Sequence, residues 1–148
     1  MKRKRIISAE ATLSGFTTVR VRFSEVDSMK VVWHGEYVRY FEDGREAFGK
    51  QYPGINYLDI YNSGFSAPIV DIHIEYLKPL MIDDVVLVET KYISTQGAKM
   101  CFEYIIRRAD NENVVARGTT IQVFLDVNGD LCLNPPPFYE EWKKRWNI

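Results

Sequence analysis

The stretch from Asp27 to Gly49, DSMKVVWHGEYVRYFEDGREAFG, decides the fold of this chain. In its second half, apolar or small residues recur at the spacing of one helix face: Tyr37, Tyr40, Phe41, Gly44, Ala47 and Phe48. The opposite face is charged, with Glu36, Arg39, Asp43 and Glu46. This pattern predicts an amphipathic α-helix that packs one side on a large apolar surface and ends at Gly49.

Gly44 lies inside the apolar stripe of this helix. A glycine in a helix interior lowers stability by about 1 kcal/mol relative to alanine, because it is freer in the unfolded chain. A packing reason for its presence is therefore expected. We predict that the helix backbone approaches its packing partner closely at this position.

The chemistry of the stretch is expected at the helix start, near His34 or Gly35. A helix N-terminus presents unpaired N–H groups and a partial positive charge. Asp27 lies seven positions before His34, in a polar loop that must fold back onto the helix start. One interpretation is a carboxylate beside an oxyanion-binding site. The other, which is the ordinary one for an isolated aspartate, is that Asp27 only caps a turn.

Alternating residues on both sides of this segment predict strands. One precedes it at 17–23, and the others follow at 66–78, 85–94, 99–108 and 114–127, with a possible short return at 131–133 after the Asn128-Gly129 turn. A helical turn is predicted at 57–62 and a closing helix at 138–146. One long helix against an antiparallel sheet is an α+β layer. Because one helix does not cover both faces of the sheet, we expect an oligomer.

Composition narrows the class of protein. The chain has 148 residues, 46% of them hydrophobic, and a net charge of −1. These values predict one globular domain over residues 1–148, with 1–10 as a flexible basic tip. Neither the basic excess of a nucleic-acid binder nor an apolar run of membrane-spanning length is present. Cys101 and Cys132 show no metal spacing and are expected to be reduced, which favours a cytoplasmic protein.

Few other residues suggest a site. His73 shares a strand face with Asp71 and Glu75, which indicates a polar surface position. Glu42 and Arg45 border the apolar stripe, where they either face a partner subunit or form a surface pair. The sequence shows no nucleophile-elbow pattern, phosphate-binding loop or zinc spacing.

Three segments together resemble the hot-dog-fold acyl-CoA thioesterases of the 4-hydroxybenzoyl-CoA thioesterase family: Arg22 to Asp27, Val31 to His34, and Tyr37 to Glu42. The segment IEYLKPLMIDDVVLVET at 74–90 is also similar, and the resemblance extends from Thr17 to Pro135. It implies an antiparallel sheet of five or six strands wrapped around one long helix. The helix predicted at 138–146 adds a short C-terminal helix to this sheet and helix. Pairing of two chains at their sheet edges is also implied, as a homodimer or homotetramer with sites at the subunit boundary.

The resemblance assigns roles by position. The family's catalytic carboxylate falls on Asp27, its oxyanion-binding backbone N–H on His34 and its helix carboxylate on Glu42. Two positions depart from the family pattern, with Lys30 in place of a usual glycine and Glu36 in place of a frequent asparagine. Trp33, Tyr37 and Phe41 either line an acyl pocket and contact the substrate or, as is more usual for aromatic residues at this spacing, belong to the core. Lys99, Arg107 and Lys78 are candidates, by charge alone, for contacts with the nucleotide of CoA.

The function that follows is hydrolysis of an acyl thioester of CoA or of an acyl carrier protein. Asp27 would activate a water molecule or attack the carbonyl itself, and the sequence does not separate these routes. No metal or organic cofactor is expected, since CoA is part of the substrate. Two alternatives are a protein that binds acyl thioesters without turnover and, ranked last, a hot-dog hydratase or dehydratase.

Overall fold

The computed structural model describes residues 11–148, so the predicted basic tip lies outside the described part. A short 3-10 turn, Phe23–Glu25, precedes the long helix. The helices and strands follow in this order: β1 Ala11–Arg20, α1 Glu36–Gln51, α2 Tyr57–Asn62, β2 Ile69–Tyr76, β3 Val85–Ile93, β4 Lys99–Arg108, β5 Val114–Val123 and α3 Pro137–Arg145.

The strands form one antiparallel five-stranded sheet in the order β1-β3-β4-β5-β2, with α1 packed against it. The predicted α+β hot-dog architecture is therefore confirmed, in its five-stranded form. Residues 131–133 do not add a sixth strand, since Leu131 makes only an isolated bridge to Leu125. Within the described residues, β1 and β2 are the two edges of the sheet.

The apolar stripe of α1 faces the sheet, as predicted. Phe41 stacks on Tyr104 of β4 with ring centroids 4.4 Å apart, and Phe48 is fully buried. Gly44 lies directly on β3, where an added Cβ would sit 2.8 Å from Val88 Cγ1. That is closer than a side chain tolerates, so the predicted close approach of the helix at Gly44 is confirmed.

Several predicted boundaries were wrong. The helix continues through Gly49 to Gln51, because Gly49 is buried against Asn56 and stays helical. β1 covers 11–20 instead of 17–23, since it pairs with β3 along its whole length and the chain then turns. β5 ends at Val123 instead of 127, β2 is shorter than predicted, and α3 starts one residue early. The helical turn at 57–62 is confirmed.

A hairpin follows β5 and leads to α3. The N–H of Asp126 donates to the carbonyl of Asp130 at 2.9 Å, and Gly129 adopts the left-handed conformation at φ 80°. α3 then covers the C-terminal end of α1, where the indole N–H of Trp142 donates to the carbonyl of Tyr52 at 2.9 Å. This helix therefore completes the core at the end of α1 far from Asp27.

Two further expectations concern thiols and membranes. Cys101 is buried and Cys132 half-buried, and neither forms a disulfide. Burial raises the pKa of the Cys101 thiol. No helix in residues 11–148 has the length and apolar character needed to cross a membrane. The cytoplasmic location stays a prediction.

Candidate active site

The segment before α1 forms a tight hairpin. Val26 pairs with Val32, and the N–H of Asp27 donates to the carbonyl of Val31 at 2.8 Å. The N–H of Lys30 donates to the carbonyl of Asp27 at 2.9 Å, and Lys30 has a φ of 65°. A turn followed by one left-handed residue is a common three-residue hairpin loop, and that residue is usually glycine. The geometry explains why a glycine is expected at Lys30.

The Asp27 side chain takes part in this turn. Its Oδ1 accepts a hydrogen bond from the N–H of Met29 at 2.8 Å. Aspartate commonly bonds the backbone two residues on in this way, so the turn-capping interpretation describes part of what Asp27 does. Its other carboxylate oxygen has no hydrogen-bond partner among residues 11–148. The half-buried carboxylate thus keeps one oxygen for a ligand or a water molecule.

The chain leaves the hairpin directly into the helix start. The N–H of Trp33 donates to the carbonyl of Glu25 at 3.0 Å, and the N–H of Glu36 donates to the carbonyl of Trp33 at 2.9 Å. Between them, neither the His34 nor the Gly35 N–H has an acceptor in the described part of the chain. Unpaired donors at a helix start are an anion-binding arrangement. Val31 pairs with Asp27, and His34 follows it by three residues, a span of at most roughly 10 Å by strand rise.

Two contacts that the sequence did not indicate hold this region. The hydroxyl of Tyr76 in β2 donates to the carbonyl of His34 at 2.7 Å. The hydroxyl of Tyr40 in α1 donates to Oε1 of Glu25 at 3.2 Å. Burial, and then the nearby Glu25 carboxylate, raises the pKa of Tyr40, so the hydroxyl stays protonated as a donor. Tyr40 belongs to the apolar stripe, and Tyr76 is distant in sequence, so no local pattern distinguishes either residue.

The predicted substrate contacts near the helix start differ in exposure. Trp33 is 50% exposed, and its ring covers Gly35, where any added Cβ would collide with it. Tyr37 is only 3% exposed and packs edge-to-face on Tyr76, with ring centroids 4.9 Å apart. Burial and then Tyr76 raise the pKa of Tyr37 to about 12. Trp33 therefore reaches solvent beside the unpaired donors, whereas Tyr37 and the fully buried Phe41 lie in the core.

The predicted cations do not converge on one place. Lys99 and Arg107 stand near opposite ends of β4, roughly 26 Å apart by strand rise. Arg107 is already paired with Glu89 at 2.8 Å, and Lys78 is exposed after β2. One nucleotide would not reach both ends of β4 in a single chain, so their contacts with CoA stay predictions.

A cavity of about 650 Å³ lies at the other half of α1. It is lined by α1, by α2 with its flanking loops, and by residues of β4 and β5. The lining residues are Glu42, Arg45, Glu46, Lys50, 55–61, 65–67, Met100, Phe102 and Gln122. Of the predicted site residues, only Glu42 lines it. On α1 the lining begins at Glu42, roughly 10 Å along the helix from Gly35, and no residue of the Asp27 hairpin lines the cavity.

Arg45 and Glu42, the two residues that border the apolar stripe, both line the cavity but have different surroundings. Arg45 donates to the hydroxyl of Tyr104 at 3.1 Å, and that hydroxyl lies 2.7 Å from Thr120 Oγ1. Arg45 is thus anchored toward the core and does not pair with Glu42. Glu42 is exposed, without an ion pair in the described chain. Among the same residues, no three His, Cys, Asp or Glu side chains cluster closely enough to hold a metal ion.

A known protein family matches the part of the chain that contains this site. The family model described as the thioesterase-like superfamily matches residues 21–145, which include the hairpin, the helix and the whole cavity lining. The chain belongs to the thioesterase-like superfamily. The family resemblance inferred from residues 22–42 is therefore confirmed.

Relatives in this superfamily include a Bacillus subtilis protein named "Putative acyl-CoA thioesterase YneP", which is 36% identical over 60% of this chain and 63% of its own length. An Arabidopsis thaliana protein named acyl-acyl carrier protein thioesterase ATL3 is 29% identical over 73% of this chain and 56% of its own length. The chain thus spans less than two thirds of both relatives. The solved structure of DHNA-CoA thioesterase from Staphylococcus aureus matches with a TM-score of 0.81 at 21% identity, covering 90% of this chain and 89% of that one. This structure supports the fold.

Proposed function

We propose that this protein hydrolyses acyl thioesters, with Asp27 as the reacting carboxylate and the backbone N–H of His34 as the oxyanion donor. The observation that carries the proposal is the hairpin at 26–32. It holds a carboxylate with one unpaired oxygen on the loop that leads to a helix start with two unpaired N–H groups. The names of the relatives support thioesters as the substrate class, with CoA and an acyl carrier protein as the two thiol carriers.

The chemistry requires few groups. The thioester carbonyl oxygen would accept hydrogen bonds from the His34 and Gly35 N–H groups, and one such donor contributes about 3–4 kcal/mol to transition-state stabilisation. Asp27 takes a proton from an attacking water molecule or attacks the carbonyl carbon itself. A thiolate leaves without a strong general acid. The proposal requires no metal or organic cofactor.

We further propose that two copies pair along β2. Val70, Ile72 and Tyr76 are 59%, 40% and 49% exposed, although they lie on the same face of β2 as Ile74, which packs against the core. The other edge of β2 has no partner strand in residues 11–148. An unpaired edge with exposed apolar side chains favours pairing with a second strand.

A two-fold axis through this edge would make the two β2 strands antiparallel. The Tyr76 end of one strand, which bonds the His34 loop, would then lie beside the start of the other strand. Ser66 and Ala67 precede that start and line the cavity. Each Asp27 hairpin would thus face the cavity of the second copy, with Glu42 at its rim. This arrangement supplies an acyl-binding space that a single chain does not place near Asp27.

Mixing two inactive variants tests the shared site. Asp27→Asn removes the carboxylate charge, and Ser66→Trp fills the cavity with a bulky side chain at an exposed position. After the two variants are unfolded together and refolded, we expect about a quarter of the parent rate, because half of random dimers are mixed and each contains one intact site. Thiol release from an acyl-CoA panel is the measurement. No recovery, with mixed dimers demonstrated by mass, would place the whole site in one chain.

The second candidate is a protein that binds acyl thioesters without turnover. Its specific support is the bond from the Met29 N–H to Asp27, which occupies one carboxylate oxygen, together with Lys30 in the loop. The thiol-release panel separates the two functions. Saturable binding of a thioester without any released thiol would favour this second candidate.

A further inference from the structure

Arg45 of α1 brings a positive charge to the cavity that lies between α1, α2 and the sheet. The side chain lines this cavity and is half-buried. Its Nη1 donates to the hydroxyl of Tyr104 at 3.1 Å, and that hydroxyl lies 2.7 Å from Thr120 Oγ1. Tyr104 and Thr120 are at most 1% exposed, so the guanidinium is attached to the close-packed core of the sheet. Its position is therefore fixed without a carboxylate.

The remaining N–H groups of this guanidinium are available to a ligand. Within residues 11–148, Arg45 makes no other hydrogen bond and no ion pair. Neither Nε nor Nη2 is a buried atom without a partner, so both retain surface that is accessible to solvent. Because the side chain lines the cavity, these groups act as donors at the cavity wall.

The nearest polar neighbours do not compensate the charge of Arg45. Burial raises the pKa of Tyr104, so its hydroxyl stays protonated and neutral. Glu42, three residues earlier on α1, is exposed and makes no ion pair with Arg45. A half-buried cation without a counterion is unfavourable, and an anionic ligand would relieve this cost.

The other charged residues near the middle of the wall already have partners. Lys50 Nζ lies 3.4 Å from Glu46 Oε1. Asp59 Oδ2 accepts the N–H of Asn56 at 3.1 Å and so caps α2. Of the two cations that line the cavity in the described part of the chain, Arg45 is therefore the one without a carboxylate.

The buried part of the wall is otherwise apolar, formed by Ile55, Ile60, Met100 and Phe102, each at most 7% exposed. The volume of about 650 Å³ is within the range of small-molecule sites. The cavity thus offers an apolar surface together with one fixed cation. This combination suits a ligand that has a hydrocarbon chain and a negative charge.

We propose that Arg45 binds a carboxylate at the far end of the acyl group, so that the preferred substrates are monothioesters of dicarboxylic acids. The methylene chain would lie on the apolar wall, and the guanidinium would form charge-assisted hydrogen bonds with the terminal carboxylate. An acyl group that ends in a methyl group would leave the cation without a partner and bind less well. This inference rests on the proposed hydrolysis and on the cavity as the acyl-binding space.

The measurement is kcat/KM for thiol release from two sets of CoA thioesters. One set is adipyl-CoA, its terminal methyl ester and hexanoyl-CoA, and the other is suberyl-CoA, its terminal methyl ester and octanoyl-CoA. The methyl ester keeps both oxygen atoms and removes the charge. In at least one set we expect a preference of about tenfold or more for the free carboxylate, the value of one hydrogen bond to a charged group. Equal rates within both sets would overturn the proposal.

A phosphate of CoA is another anion that a guanidinium binds, and the thiol carrier distinguishes the two. N-acetylcysteamine thioesters of the same acids carry no phosphate, so the preference for the free carboxylate should persist with them. Phosphate binding would give a different result. Arg45→Met would then lower the hydrolysis of all CoA thioesters equally and leave the N-acetylcysteamine thioesters unaffected, and the proposal would be wrong.

Variants test whether Arg45 causes the preference. Arg45→Met removes the charge, so the ratio within the preferred set should fall toward one, whereas Arg45→Lys should retain part of the preference. A purely structural role would lower all members of a set equally and leave the ratio unchanged. Lys50→Met is the matched control, because Lys50 is a cation that lines the same cavity but is paired with Glu46. It should preserve the ratio.

Two outcomes need separate measurements. If Arg45→Met does not fold, Arg45→Gln keeps a donor for Tyr104, removes the charge and should reduce the ratio, while the parent's own ratio still decides. If no thioester releases thiol, the proposed hydrolysis fails, and the dissociation constants of the same compounds are compared. Tighter binding of the free carboxylates, lost in Arg45→Met, would support the role of Arg45. Equal dissociation constants would overturn it.

Discussion

Two hairpins of this molecule, at Asp27 and at Asp126, have the same backbone arrangement. In each, the aspartate N–H donates to the carbonyl four residues on, at 2.8 Å to Val31 and 2.9 Å to Asp130. In each, Oδ1 accepts from the N–H two residues on, at 2.8 Å and 2.9 Å. In both places, therefore, the aspartate caps the turn through one of its carboxylate oxygens.

The hairpins differ in the helix that follows and in one residue of the loop. The Asp27 hairpin leads to α1, where the His34 and Gly35 N–H groups are unpaired. The Asp126 hairpin leads to α3 through prolines 135–137, which carry no N–H. The left-handed position holds Lys30 in the first loop and Gly129 in the second. An aspartate in such a turn thus indicates chemistry only when free donors lie beside it.

The largest expected difference between the hairpins is in turnover. Asp27→Asn keeps the acceptor for the Met29 N–H and removes the charge, so thioester hydrolysis should fall by a factor of about 100 or more while folding and ligand binding are retained. Asp126→Asn makes the same change in the matching turn and should leave hydrolysis unchanged. Steady-state rates of thiol release are the measurement.

Equal rates for Asp27→Asn and the parent would contradict the proposed mechanism and direct attention to Glu25, Glu42 and His34. Unfolding of Asp27→Asn alone, with Asp126→Asn folded, would show that the first turn depends on its charge.

The next effect concerns the support of the helix start. Tyr76→Phe removes the hydrogen bond to the His34 carbonyl, and we expect kcat to fall about 3- to 10-fold with little change in KM. Tyr52→Phe is the matched control, since its hydroxyl donates to the carbonyl of Ser14 at 2.9 Å near the other end of α1. It should leave kcat unchanged. If Tyr76→Phe and Tyr52→Phe both had the kcat and KM of the parent, the Tyr76 hydrogen bond would not position His34.

The smallest effect is on stability. Lys30→Gly relieves a left-handed backbone and should raise the free energy of unfolding by about 1 kcal/mol, and Gly129→Lys should lower it by a similar amount. Urea denaturation measures both, with the parent as reference. If Lys30→Gly were destabilising, contacts of the lysine side chain would outweigh the backbone strain.

The fold was predictable where neighbouring residues determine the structure. The stripe containing Phe41, Gly44 and Phe48 identified the buried face of α1, and the Asn128-Gly129 pair identified the second hairpin. Boundaries set by distant contacts were missed. The start of β1 depends on pairing between Ala11 and Ile93, and the helix continues past Gly49 because of Asn56.

The candidate site was predictable in part for the same reason. Asp27 and His34 lie in one short motif, and the position at which the family usually has glycine, Lys30, has a left-handed backbone. The bond from Tyr76 to His34 joins residues 42 positions apart. The cavity arises only after β4, β5 and two helices assemble, so no local pattern indicates it.

The different burial of Trp33 and Trp142, two of the three tryptophans, provides two separate optical signals. Trp33 is 50% exposed and covers the helix start, whereas Trp142, on the buried face of α3, is 1% exposed. A soluble collisional quencher such as iodide should therefore reduce the fluorescence of Trp33 and leave that of Trp142 nearly unchanged. A ligand bound at the unpaired donors should shield Trp33 from the quencher. Emission from Trp142 should shift to longer wavelength only when the core opens. In a Trp146→Phe background, which removes the half-buried third tryptophan, quenching and emission wavelength together distinguish occupancy from unfolding.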